Sequence, residues 1–237
     1  MVSSVRELFD AWALSGRAEG MEQGHGHAAR LAVSRLGIGE RTRYLDIGCG
    51  NGYTVRWAAR AAPRGHAVGA DLSEEMILLA RRLSHDLPNT TFIAGEFPGV
   101  DLGQGAPFDA IFSMEAFYYF ADLDAALARV RDLLAPEGLF ACVVDFYGEN
   151  TASHAWQEQM GVPMTLLDAA GWAGAFARAG LTVVEQTRLR LPAGTTRDPE
   201  DAWEETEGSL LTLGSRADRA PGKTGHDARE SRGMGRG

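Results

Sequence analysis

Gly48, Gly50 and Gly52 stand at alternate positions in RYLDIGCGNGY, directly behind an apolar run, and Asp71 follows Gly50 by 21 residues. Glycines at a strand-to-helix turn let the chain bend sharply and bring backbone N–H groups close to a ligand. The spacing G-x-G-x-G is one residue shorter than the G-x-G-x-x-G of dinucleotide folds. An acid about 20 residues downstream, at the tip of the neighbouring strand, is placed to hold a ribose diol. Together the turn and the acid point to a nucleoside-containing ligand.

Asp46, two residues before the first glycine, divides the readings further. A carboxylate there would repel a pyrophosphate, yet it can accept hydrogen bonds, directly or through water, from a cationic amino-acid group. A ligand with an adenosine end and an amino-acid end is S-adenosylmethionine. YLDIGCGNG resembles the first motif of the class I S-adenosylmethionine-dependent methyltransferases, and GADLSEEMILLARR resembles their second. FDAIFSMEAFYYFADLDAALARVRDLLAPEGLFACVVDF is similar to their fourth strand, the helix after it and their fifth strand. The likeness runs from Thr42 to about Phe146, and AGWAGAFARAGLTVVEQ resembles the last helix–strand unit.

The resemblance implies a Rossmann-like three-layer α/β/α sandwich with a mostly parallel seven-stranded sheet, its last strand antiparallel, and an N-terminal helical lid. It implies S-adenosyl-L-methionine as cofactor, with backbone around Gly48, Gly50, Asn51 and Gly52 meeting the methionine moiety and Asp71 holding the ribose hydroxyls. Leu72 and Met76 would flank the adenine, and Ser113 and Met114 would lie beside the sulfonium. The family often has a Gly-Asp pair after its third strand; here AGEF puts Glu96 in that place, with one extra methylene, and the Phe97 N–H is an alternative contact.

Methyl transfer from a sulfonium is an in-line displacement on an activated carbon. The protein mainly aligns a nucleophile, excludes water and, for weak nucleophiles, removes a proton. No metal is required, and no Cys/His/Asp set stands at ligand spacing. Glu115, Tyr118 and Tyr119 in SMEAFYY follow the fourth strand, as substrate contacts or a base; the alternative is that Phe117 and Tyr118 begin a helix and pack, with Glu115 solvated. His25 and His27 in MEQGHGHAAR precede a helix, where His27 could act as a base or simply be polar at a helix N-terminus. Asp145, Tyr147 and His154 follow the fifth strand, Tyr147 as a pocket wall or a packed ring; Phe9 and Trp12 pack the lid.

Positioning these residues falls to apolar runs of strand length alternating with helix-length periodic segments. Strands are expected at Arg43–Ile47, Ala67–Asp71, Thr90–Ala94, Ala110–Ser113, Leu139–Phe146 and Leu181–Leu189. Helices are expected at Val5–Ala13, Met21–Leu36, Gly52–Ala62, Glu74–Ser84, Leu123–Leu134 and Leu167–Ala179. DPEDAWEETE reads as a short helix, and GSLLTLG as a final strand or an extension of that helix. The domains are then 1–41, a helical lid; 42–215, the S-adenosylmethionine-binding domain; and 216–237, a Gly- and Arg-rich tail with six basic and three acidic residues, expected to be disordered.

The 237 residues, 45% hydrophobic, suffice for one sizeable core, and a formal charge of −9 argues against a nucleic-acid partner. No apolar stretch is long enough to span a bilayer, and no basic and apolar leader opens the chain. Cys49 and Cys142 make no disulfide framework, which fits a reducing cytoplasm. The sequence therefore reads as a cytoplasmic methyltransferase acting on a small-molecule acceptor. The alternatives are a non-catalytic protein that binds S-adenosylmethionine or S-adenosylhomocysteine and, third, an NAD(P)-dependent oxidoreductase, which the glycine spacing and Asp46 disfavour. Acceptor atom, general base and oligomeric state are not legible.

Overall fold

Along the central strands successive side chains enter two different cores, as the two-residue period of a strand requires. Leu45, Ile47, Val68, Ala70, Ile111, Phe140 and Cys142 join one cluster, while Tyr44, Ala67, Phe92, Ala110, Phe112, Ala141 and Val143 join the other. A sheet that is apolar on both faces must be covered on both, which gives three layers.

The computed structural model describes residues 4–103, 106–196 and 201–216. Its strands are β1 (Arg43–Ile47), β2 (His66–Asp71), β3 (Thr90–Ala94), β4 (Phe108–Met114), β5 (Leu134–Val144), β6 (Leu181–Leu189) and β7 (Ser209–Arg216). They form one seven-stranded sheet in the order β3-β2-β1-β4-β5-β7-β6. The pairs within β3-β2-β1-β4-β5 are parallel, and β7 runs antiparallel to both β5 and β6. GSLLTLG is thus a strand, as the family pattern implied. The chain leaves β1 for β2 on one side and returns to β4 on the other, so the strand order reverses between β1 and β4. In open α/β sheets the crevice at such a switch point, outside the carboxyl ends of the strands, is where ligands bind.

The helices are α1 (Val5–Leu14), α2 (Met21–Ser34), α3 (Tyr53–Ala61), α4 (Glu74–Leu83), α5 (Leu123–Leu133), α6 (Trp156–Met160), α7 (Ala169–Arg178) and α8 (Trp203–Thr206). Ser73 caps α4 by accepting a hydrogen bond from the Met76 N–H, as a serine ahead of EEM should. β5 begins five residues before the expected Leu139, because Phe108 pairs with Leu134 before the register shifts and Ala110 pairs with Leu139. Pro136 and Gly138 lie in that irregular stretch rather than in a separate loop.

The expected lid divides in two. Ala28, Ala29 and Ala32 of α2 are buried in the core on one sheet face, so α2 is a layer helix and not a cover. α1, the 3-10 turn Arg17–Gly20 and the start of α2 lie over the strand ends, with α1 against α4. There Arg6 donates to the Leu72 carbonyl at 2.6 Å, and the Ser73 hydroxyl donates to Asp10. Phe9 and Trp12 pack with Met76 and Leu79 beneath the turn. At the other end Arg216, expected to open the tail, closes β7 opposite Leu181; residues 217–237 lie outside the described residues.

Candidate active site

β1 passes into α3 through Gly48, Gly50 and Gly52, with φ of +75°, +51° and +75°, the left-handed region that side chains disfavour. Space is a second constraint. A Cβ on Gly48 would lie 2.5 Å from the Ala116 Cβ, and one on Gly52 2.6 Å from the Phe92 ring. Two of the three glycines are therefore also required by the protein's own packing, whatever binds above them. The turn is pinned to the next strand, since the Gly50 N–H donates to Asp71 Oδ2 at 2.8 Å and the Ser73 N–H to Asp71 Oδ1 at 2.9 Å. Burial raises the Asp71 carboxyl above its ordinary range, opposed by these two donors. An ionised carboxylate has about four lone-pair sites, so each oxygen keeps one for a hydroxyl.

Above the turn a cavity of about 1220 Å³ runs across the carboxyl ends of β2, β1, β4 and β5. Gly48, Gly50, Asp71, Leu72, Glu96, Phe97, Met114, Glu115 and Tyr118 all line it. Asp46, Asn51, Gly52, Met76 and Ser113 stand behind its wall. The Thr54 hydroxyl donates to the buried Asp46 carboxylate, which ties the first turn of α3 to β1. Ser113 donates to the Ile47 carbonyl at 2.7 Å, and so joins β4 to β1 rather than facing the cavity. Met76 is fully buried under α1 and does not line the cavity.

Asn51 is a clamp. Its Nδ2 donates to the Ala18 carbonyl at 2.7 Å, its Oδ1 accepts from the Tyr53 N–H, and its own carbonyl accepts from Arg56 at 2.6 Å. Asn51→Ala removes one of the two donors to the buried Ala18 carbonyl, which keeps only the Met21 N–H, at about 1 kcal/mol. It should loosen the Arg17–Gly20 turn, which faster tryptic cleavage at the exposed Arg17 would reveal, with the rest of the digestion pattern unchanged.

The second half of the cavity holds the groups that could handle a proton. Glu115 sits at φ +57°, a strained conformation for a non-glycine residue. It is held there from both oxygens: the Asp145 N–H donates to Oε1 at 2.5 Å and the Tyr118 hydroxyl to Oε2 at 2.7 Å. Burial pushes the Glu115 carboxyl well up, and the neighbouring Asp145 charge adds to this. Burial also raises Asp145, whose Oδ2 lies 3.7 Å from His25 Nδ1.

His27 does not join them, which corrects the expectation from sequence. Both histidines lie inside α2 rather than before it, and His27 Nε2 hydrogen-bonds the Arg190 carbonyl at 3.0 Å, away from the cavity. Tyr147 is packed, with its hydroxyl 2.9 Å from the Gly208 carbonyl, and His154 is exposed. Phe9 and Trp12 line the cavity as well as packing α1, and Phe9 meets Trp12 and Tyr119 edge-to-face, with ring centroids 5.2 and 5.5 Å apart. Sequence reasoning missed Trp156, Met160, Asp201, Trp203 and Glu204, which also line the cavity. The one signal was the acid- and tryptophan-bearing DAWEETE, which has no periodicity to aim it.

A seven-stranded sheet with this order and a carboxylate-tipped β2 beside a glycine turn defines a nucleoside-binding α/β class. Residues 45–138 match the family model described as a methyltransferase domain. Malonyl-acyl-carrier-protein O-methyltransferase of Magnetococcus marinus is 30% identical over 179 residues, 74% of this chain but 61% of that protein. The chain thus spans less than two thirds of that relative's length. A chain of the complex between the Haloferax volcanii Trm112 methyltransferase activator and the putative methyltransferase is 36% identical, with a TM-score of 0.80 over 91% of this chain and 99% of that one. Geranyl diphosphate C-methyltransferase from Streptomyces coelicolor, solved with S-adenosyl-L-homocysteine, is 17% identical with a TM-score of 0.66 over 81% and 80% of the two chains, a likeness of fold alone. The chain belongs to the S-adenosylmethionine-dependent methyltransferase family, whose cofactor is S-adenosylmethionine.

Proposed function

We propose that this chain transfers a methyl group from S-adenosylmethionine to a small-molecule acceptor. The observation that carries the reading is the size and extent of the cavity. At about 1220 Å³ it exceeds the roughly 300–1,000 Å³ of a pocket for one drug-sized ligand, and it reaches from Asp71 on β2 to Asp145 past β5. That is room for a donor and an acceptor side by side. The residues present fit the cofactor. Asp71 would take the ribose diol on its two free lone pairs, with Leu72 and Phe97 beside the adenine and Glu96 at its amino group. The backbone of Gly48 and Gly50 would meet the methionine end, with Asp46, Asn51 and Gly52 supporting the turn from behind. Bound there, the cofactor supplies an electrophilic methyl group on a sulfonium. Met114, Glu115 and Tyr118 would border the acceptor, while Phe9, Trp12 and Tyr119 keep water out. Cys49 and Cys142 are both free and buried, which supports a reducing, cytoplasmic setting.

The test is calorimetric titration with S-adenosylhomocysteine, with NADH as control, followed by transfer of labelled methyl groups to candidate acceptors. Micromolar binding of the former alone is expected. Binding of NADH instead would return the chain to the oxidoreductase reading, and cofactor binding without transfer to any acceptor would favour a non-catalytic binder.

The likeness to the Haloferax volcanii chain supports a second component, an activating subunit of the Trm112 kind, and with it a larger acceptor. Adding such a subunit should raise cofactor affinity or turnover if this holds; a lone chain at full activity speaks against it.

A further inference from the structure

The end of the cavity farthest from Asp71 is acidic and aromatic. Asp71 ends β2 and Asp145 follows β5, three strands apart in the sheet, roughly 14 Å at the usual spacing between neighbours. Around Asp145 the wall carries Glu115, Glu204 and Asp201, with His25 as the basic group. Trp156 and Trp203 close the same region, their rings edge-to-face with centroids 6.0 Å apart. Asp145 is 2% exposed, and its Oδ1 is buried without a hydrogen-bond partner among the described residues. Oδ1 has essentially no accessible surface, so the carboxylate meets the cavity through Oδ2, on the side of His25.

We infer that the methyl acceptor is a basic amine, carried on a flat apolar body, whose ammonium group is received by Asp145 and whose body lies against Trp156 and Trp203. The inference rests on the methyltransferase reading above and names its substrate class. An ammonium can pair with the Asp145 carboxylate through Oδ2, and it gains from the tryptophan faces by cation–π attraction. An anionic acceptor would have to enter past four carboxyl groups, Glu115, Asp145, Asp201 and Glu204. Burial raises both Asp145 and Glu204, the latter to about 7, with the surrounding carboxylates adding to Glu204. Carboxyls so placed take a proton from an ammonium more readily than a solvated one does. The amine nitrogen, having given one proton to Asp145, uses its lone pair to bond the methyl carbon while the carbon–sulfur pair returns to sulfur. The product is an N-methyl ammonium, and the proton on Asp145 leaves to solvent through His25.

The test uses the full chain and three probes that differ only in their head group: phenethylamine, phenethyl alcohol and hydrocinnamate. Each is titrated calorimetrically into protein saturated with S-adenosylhomocysteine. The amine should bind, with the alcohol and the carboxylate at least about tenfold weaker. Asp145→Asn and, separately, Glu204→Gln should each weaken the amine several-fold or more, while the affinity for S-adenosylhomocysteine stays within about twofold. Glu204→Gln lies at the cavity wall on a short helix and guards against a folding defect in the first variant. Equal or tighter binding of hydrocinnamate, no binding of the amine to the cofactor-bound protein, or amine affinity unmoved in both variants would overturn the inference and leave the methyltransferase reading intact. Failure of S-adenosylhomocysteine itself to bind would instead remove the reading on which it rests.

Discussion

Asp46→Asn should make the protein's stability less dependent on pH, opening a difference of about 2–3 kcal/mol in favour of the variant between about pH 5 and about pH 8. Burial raises this carboxyl from 3.8 to about 7, with the Asp71 charge adding to the rise and the Thr54 hydroxyl opposing it. The native state therefore holds a proton across a range of pH in which the unfolded chain has lost it. Stability from this group is fully present below the unfolded value of 3.8 and is lost as pH rises through about 7. Asparagine keeps an oxygen for the Thr54 hydroxyl and never ionises, so it escapes that loss. Glu115 and Asp145 are also raised by burial, but they titrate in both proteins and largely cancel in the comparison. Urea unfolding at the two pH values reads the effect directly. Parallel changes in both proteins would show that Asp46 stays charged at no cost, and that the buried site is better solvated than its surroundings indicate. A stability gain accompanied by weaker S-adenosylhomocysteine binding would mark Asp46 as a residue kept for its charge at the fold's expense.

The strands show how far a sequence reading reaches here. Arg43–Ile47, Thr90–Ala94 and Leu181–Leu189 are each bounded by turn residues and apolar in the right places, and they occur in the structure with those ends. Leu134 to Glu137 belongs to β5 although Pro136 and Gly138 punctuate it like a loop. Its pairing to Phe108 is a long-range register shift that no local pattern records. α2 looks like a lid from its position in the chain. Its alanines, though, are small enough to sit flat on the sheet, and only the tertiary contact distinguishes a layer helix from a cover.

The half of the cavity proposed for the cofactor was legible as a cluster, because its residues stand in two short motifs on adjacent strands. The half proposed for the acceptor was not, because it is assembled from α1, the ends of β4 and β5, α6 and α8, which are far apart in sequence. His25 and His27 illustrate the limit. Two positions on a helix differ by about 200° in direction, so one of the pair faces Asp145 and the other faces away. The expected helix does begin at Met21, but which of its faces meets the sheet is a tertiary matter. Ser113 and Met76 failed for the opposite reason: the motif placed them at the right height along β4 and α4, but a neighbouring carbonyl and α1 took up their side chains.

Asp71→Ala should weaken S-adenosylhomocysteine binding by about 2–4 kcal/mol, thirtyfold to a thousandfold, with a smaller loss of stability. The effect has two sources. The ribose hydroxyls would lose the acceptor proposed for them, a charge-assisted contact in a half-buried site. The Gly50 and Ser73 N–H groups lose theirs as well, so the glycine turn is released from β2 on the side that faces the cavity. Asp71→Asn separates the two contributions. Its single oxygen and its NH₂ cannot satisfy two backbone donors at once, but the side chain still fills the space, so the turn is held from one side only. An asparagine variant that binds as poorly as the alanine one would assign the loss to charge and ribose contact. One that binds nearly as well as the parent would assign it to the turn. Unchanged affinity in both variants, with the fold intact by near-ultraviolet circular dichroism, would take Asp71 out of the cofactor site. The Gly50–Asp71 bond would then be a purely structural tie between β1 and β2.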